Sequence, residues 1–137
     1  MTNNNPNNPV ATALVTLRLS VFLVMLVWTL DKFINPEHAS AVFESFYLIP
    51  GLGNTPIYLI GAIQLLIIVS FVLGFKKTFS YGAILFLHSV STLSSFKVYL
   101  APYEPPNILF FAAWPMLAAC FTLFYLRKWD TKLTVEK

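Results

Sequence analysis

Residues 56–75 read PIYLIGAIQLLIIVSFVLGF, a run with no Asp, Glu, Lys or Arg. A helix needs about 20 apolar residues, at about 1.5 Å each, to cross the hydrocarbon of a bilayer. This run has that length. Three more runs of similar length flank it at 10–30, 78–96 and 105–126, and Arg18 is the only charged residue in any of them. Four such runs in 137 residues leave almost nothing for a soluble domain. Backbone polar groups in hydrocarbon must pair within their own segment, so the spanning solutions are helices and closed barrels. Barrel strands alternate apolar and polar residues, and these runs do not alternate. The expected fold is all-α: a polytopic membrane four-helix bundle with spans at about 10–33, 56–75, 78–100 and 107–126.

Composition agrees with this reading. Hydrophobic residues make up 57% of the chain and charged residues 11%, the reverse of a soluble domain's balance. The formal net charge of +3 reflects topology and gives no nucleic-acid footprint. Lys76 and Lys77 follow the second run, and Arg127, Lys128, Lys132 and Lys137 follow the fourth; only Lys32 and Lys97 fall on the other side. The positive-inside rule then places both termini and the 76–77 turn in the cytoplasm. The expected location is a bacterial cytoplasmic (inner) membrane.

Local signals fill in the connections. Residues 1–9 (MTNNNPNNP) are uncharged and Asn/Pro-rich, which predicts a disordered cytoplasmic tail. Residues 129–137 are expected to form a second cytoplasmic tail. Asn35-Pro36-Glu37 carries a helix-start signature: an N-cap, Pro at the first helical position and an acid in the first turn. The helix it opens, to about Tyr47, is too short to span and predicts an amphipathic element on the outer face. Pro115 falls inside the fourth run, where proline removes a backbone bond and kinks a helix. Ala39-Ser40-Ala41 has the small-x-small look of a signal cleavage site. However, no Lys or Arg precedes Arg18, and the stretch between Leu30 and Ser40 is long and charged. The first run is therefore read as retained.

Polar residues inside the runs are the candidates for function. Arg18, Gln64 and His88 each lie about 12–16 Å from the cytoplasmic ends of their runs at about 1.5 Å per residue. That depth lets them meet near the midplane. Arg18 either snorkels to the headgroups or faces neutral acceptors or an anionic ligand. His88, Ser91 and Ser95 share one helical stripe, readable as a ligand face or as ordinary interhelical hydrogen bonding. The expected ligand-binding set is Arg18, Gln64, His88, Ser91, Trp28 and Lys32. A second set, Asp31, Lys97, Tyr103, Glu104 and Asn107, is expected to surround the outer mouth, where Asp31 and Lys32 against Lys97 and Glu104 are readable as a ring of ion pairs or as ordinary interfacial charges. The single cysteine, Cys120, reads as a small apolar residue at a helix contact. No Cys/His spacing suits a metal, so none is expected.

Several short motifs resemble the DoxX-like family of small four-helix integral membrane proteins. They are Arg18 in the first span, Lys32-Phe33-x-x-Pro36 at its outer end, Gly61-x-x-Gln64 in the second span and Leu73-Gly74 at that span's end. The family commonly has an acid where this chain has Gln64, so a titratable group is missing here. A more distant resemblance is to the methylamine-utilisation redox membrane proteins, whose cysteine pair is absent. The resemblance implies an accessory subunit of a membrane redox system that contacts a quinone or a lipid, with quinone as the cofactor to consider. The alternatives are a stand-alone lipid- or quinone-binding bundle and a small transporter. Expected partners are the lipid bilayer, other membrane redox subunits or further copies of the chain, and no nucleic acid.

Overall fold

A computed structural model describes residue 5 and residues 7–136. Most of the predicted disordered N-terminal tail lies outside the described residues. The described part of it is used locally: the Asn8 side chain accepts from the Val10 N–H at 3.0 Å, capping a helix that begins with Pro9. That is a normal helix start, with an Asx cap and Pro at the first position.

The protein is all-helical, with no strand among the described residues. Helix α1 covers Pro9–Ile34, α2 Pro36–Tyr47, α3 Asn54–Val72 and α4 Lys77–Ser94. A four-residue turn, α5, covers Phe96–Tyr99; a 3₁₀ segment, Asn107–Ala112, then leads into α6, Ala113–Tyr125. Helices α1, α3, α4 and α6 pack in a closed ring, each against the next and α6 back against α1. Successive members run in opposite directions, as their contacts show. Gly61 near the start of α3 meets Lys32 and Phe33 near the end of α1, and Gly82 near the start of α4 faces Phe124 near the end of α6.

Three segments are long and apolar enough to cross a membrane: Pro9–Ile34, Asn54–Val72 and Asn107–Tyr125. Helix α4 differs. It ends at Ser94, short of the 78–100 span expected, and carries His88 with a series of Ser and Thr. Their side chains are handled locally: Ser89 Oγ donates to the Leu85 carbonyl at 2.6 Å and Thr92 Oγ1 to the His88 carbonyl at 2.7 Å, the usual back-bonding of helical hydroxyls.

The ring encloses an apolar centre of Leu14, Val21, Met25, Ile68, Phe71, Tyr81, Ile84, Cys120 and Leu123. Cys120 is buried there, as its reading as a small apolar residue requires. The outward faces are also apolar: Leu23, Leu59, Leu66, Phe79, Phe86 and Leu109 are each more than 60% exposed. Soluble monomers rarely expose contiguous apolar surface on this scale.

Two connections follow from local chemistry. Asn35 ends α1 through its N–H to the Asp31 carbonyl at 2.8 Å, and its side chain caps α2 by accepting from the His38 N–H at 3.3 Å. One asparagine thus turns the chain between two helices. Pro115 does not kink a helix, because α6 starts only at Ala113. The proline falls in the first turn, where N–H groups have no intrahelical partner anyway. The chain before it winds as a 3₁₀ segment instead of α-helix.

The segment after α6 folds back instead of trailing away. The Val135 and Glu136 N–H groups donate to the Leu73 and Gly74 carbonyls at 2.8 and 3.1 Å, and Glu136 Oε2 accepts from the Lys77 N–H at 3.1 Å. Gly74 makes this docking possible. Its φ is +61°, and a Cβ at this position would lie 2.5 Å from Thr134 Cγ2. A non-glycine residue would meet both a left-handed backbone and a collision.

Candidate functional site

Arg18 is fully buried, but its polar partners are not Gln64 or His88. Its guanidinium pairs with Asp130 Oδ2 at 2.6 Å, and Nη1 also donates to Tyr81 Oη at 3.2 Å. Its Nη2 donates to the Lys132 and Leu133 carbonyls at 2.7 and 3.0 Å. Tyr81 Oη donates to Asp130 Oδ2 at 2.7 Å, and Lys77 Nζ to the Asp130 carbonyl at 2.7 Å. These partners belong to the folded-back C-terminal segment and the start of α4. The Arg18 cluster therefore sits at the end of the ring that holds the α3–α4 turn. The expectation of a shared site with Gln64 and His88 is corrected here. The guanidinium's demand is met by an acid located beyond the last apolar run, so Arg18 anchors the C-terminal segment and does not join Gln64 and His88 in lining a common cavity.

The other expected residues do come together. A cavity of about 1120 Å³ lies among α1, α2, α3, α4 and the 3₁₀–α6 segment, and its lining includes Trp28, Lys32, Gln64, His88 and Ser91. It is larger than most small-molecule pockets, which run to about 1,000 Å³. Asp31 lines it as well, with His38 from α2. Their side chains form a pair, His38 Nδ1 to Asp31 Oδ2, at 2.7 Å. Most of the remaining lining is apolar, including Leu17, Val21 and Val24 on α1 and Met116 and Ala119 on α6.

The close approach of α1 and α3 places the upper part of this cavity. A Cβ on Gly61 would lie 2.9 Å from Phe33 Cζ and 3.2 Å from Lys32 Cβ. The glycine brings the helices together, and Gln64 follows one turn down α3, at the cavity wall. The Lys32-Phe33 and Gly61-x-x-Gln64 motifs are thus two sides of one contact.

His88 is buried below the mouth, its ring 6.1 Å from that of Trp28. Its Nε2 lies 3.0 Å from the Ala113 carbonyl, which can only accept, so Nε2 carries the proton; Nδ1 has no partner among the described residues. Lys32 is only 9% exposed, and its Nζ donates to the Trp28 carbonyl at 3.3 Å.

The proposed mouth set divides. Asp31 belongs to the cavity, but it pairs with His38 and not with Lys97. Lys97, Tyr103, Glu104 and Asn107 do not line the cavity. Tyr103 is 89% exposed, and Asn107 Nδ2 is occupied by the Ala101 carbonyl at 2.9 Å. The ring of ion pairs does not form among the described residues: Asp31 pairs with His38, Lys32 Nζ bonds the Trp28 carbonyl, and neither Lys97 nor Glu104 is in an ion pair. His38 was missed as a lining residue. Its signal was the α2 start signature, which places it in the first turn, directly above the end of α1. Asp130 was missed because the tail was read as solvated. Among the described residues, no group of three or more His, Cys, Asp or Glu is arranged to hold a metal.

Comparison with protein-family models, curated proteins and solved structures gives no match to the chain.

Proposed function

We propose that this chain is an integral membrane four-helix bundle that holds an amphipathic small molecule of lipid or quinone type. In this reading, α1, α3, α4 and the 3₁₀–α6 segment all span. Helix α2 lies at the outer interface and both termini are cytoplasmic, in a bacterial inner membrane. The three strongly apolar helices and the exposed apolar faces support a lipid environment. Helix α4 crosses at the cost of its polar residues, most of which turn inward: Ser80, His88 and Thr92 are all buried.

The observation that carries the reading is the convergence of Lys32, Gln64, His88 and Ser91, from three helices, on one mostly apolar cavity. Polar and ionisable groups at membrane depth are expensive and mark binding sites or pathways. The resemblance of the short motifs to DoxX-like proteins adds the context of a membrane redox system, with other redox subunits or further copies of the chain as partners. No catalytic role is assigned.

Native mass spectrometry of protein gently extracted from its own membrane, at endogenous expression, tests this reading. The expected result is a hydrophobic small molecule retained by the chain. An accompanying stoichiometric protein supports the subunit role. A bare chain with neither contradicts both parts of the proposal.

A further inference from the structure

Lys32 is about nine-tenths buried as a residue and lines the cavity, and among the described residues its Nζ donates only to the Trp28 carbonyl at 3.3 Å. That carbonyl is the one four residues back in the same helix. Among the described residues, no carboxylate lies within salt-bridge distance of Lys32, and neighbouring Asp31 is directed to His38 at 2.7 Å. Burying a charge without a close ion-pair partner is unfavourable, and the neighbouring Asp31 carboxylate offsets this only in part. The contrast with Arg18 is instructive, because that cation has an internal acid. Gln64 and Ser91 line the same cavity, and among the described residues their side chains have no hydrogen-bond partner. Among the described residues, a cation without an ion-pair partner and two unpartnered hydrogen-bonding side chains thus stand at one end of a mostly apolar cavity. On α1 the lining runs from Leu17 to Lys32, about 22 Å of helix at 1.5 Å per residue, the scale of a long acyl chain.

We propose that the cavity takes an anionic amphiphile, a carboxylate or phosphate head on a hydrocarbon chain. The anionic oxygens sit on the Lys32 ammonium, and the other polar atoms of the head reach Gln64 and Ser91. The hydrocarbon chain lies along Leu17, Val21 and Val24, against Met116 and Ala119. Basic pockets between spanning helices recognise anionic lipid heads by this electrostatic logic. The inference rests on the reading of the cavity as a ligand site and adds the sign of the ligand's charge. A neutral quinone leaves Lys32 uncompensated.

Titration of the purified chain in a neutral maltoside detergent tests it. Trp28 fluorescence is followed in a background with Trp114→Phe and Trp129→Phe. The probes are oleate, lysophosphatidylglycerol and the neutral oleyl alcohol. The expected result is saturable binding of at least one anionic probe, at least tenfold tighter than the alcohol. The tighter of the two identifies the natural source as a free fatty acid or a phospholipid. Lys32→Gln removes the preference and Lys32→Arg keeps it. Gln64→Leu, which leaves the charge in place, weakens the anionic probe several-fold and the alcohol little. Equal binding of oleate and oleyl alcohol, or a preference that survives Lys32→Gln, overturns the anionic assignment and leaves the ligand site standing. No response to any probe overturns the ligand site itself.

Discussion

Arg18 and Asp130 lie near opposite ends of the chain, and each is 0% exposed in the ion pair they form. Removing one partner of such a pair leaves a buried, unmatched charge or acceptor. The cost is about 3–5 kcal/mol, whereas replacing both by apolar residues is often neutral. Arg18→Met and Asp130→Leu are each expected to lower the unfolding temperature sharply in detergent, and the double variant to recover most of the loss. A double variant as unstable as the sum of the singles shows that the two residues act independently. The sequence shows that Arg18 needs a partner, because an unpaired arginine in an apolar run is costly. It does not reveal which partner. Asp130 follows Arg127 and Lys128 in a segment with no apolar run, so nothing local marks it as buried. At the cavity, residue type was the better guide. Trp28, Lys32, Gln64, His88 and Ser91 are the polar or amphipathic exceptions in apolar runs, and they converge. His38 and Asp31 pair only because α2 folds back over α1, a tertiary event.

Elements were legible where they carry their own punctuation. Asn35-Pro36-Glu37 predicts α2, and α2 runs Pro36–Tyr47 with Asn35 as its cap. Lys76–Lys77 marks the α3–α4 turn. The fourth apolar run was read as one helix kinked at Pro115, but it is a 3₁₀ segment followed by α6. Hydropathy does not distinguish the two windings, because both bury and expose the same residue types. The difference has a measurable consequence. A proline in a helix interior costs about 3 kcal/mol, whereas one in the first turn costs little. Pro115→Ala is therefore expected to change stability by less than about 1 kcal/mol, the loss coming from a freer unfolded chain. Stabilisation by about 3 kcal/mol, read from thermal or denaturant unfolding, shows instead that the proline breaks a helix.

At the scale of the molecule, four apolar runs in a short chain specify helices that bury one face against each other and leave the other apolar and exposed. The rotation of each helix about its axis is not written in a single sequence. That rotation brings Gly61 against Lys32 and Phe33 and turns the Arg18 side chain to the docked tail, out of the cavity whose α1 lining begins at Leu17. The proposed topology predicts opposite exposure of two surface positions. In intact cells a membrane-impermeant maleimide labels Tyr103→Cys and not Lys128→Cys, while Cys120, 1% exposed, stays silent. Labelling of Lys128→Cys alone inverts the topology.

The most direct test of the central claim compares the small molecules that co-purify with three forms of the chain. These are the natural sequence; Ser91→Trp, which places a bulky ring in the cavity; and Arg18→Met, which alters the anchor, whose side chain does not line the cavity. Far-ultraviolet circular dichroism confirms that each remains helical. The expected result is about one amphipathic molecule per chain in the natural protein, kept by folded Arg18→Met and lost from Ser91→Trp. A natural protein that carries nothing, or a molecule that Ser91→Trp retains unchanged, contradicts the account.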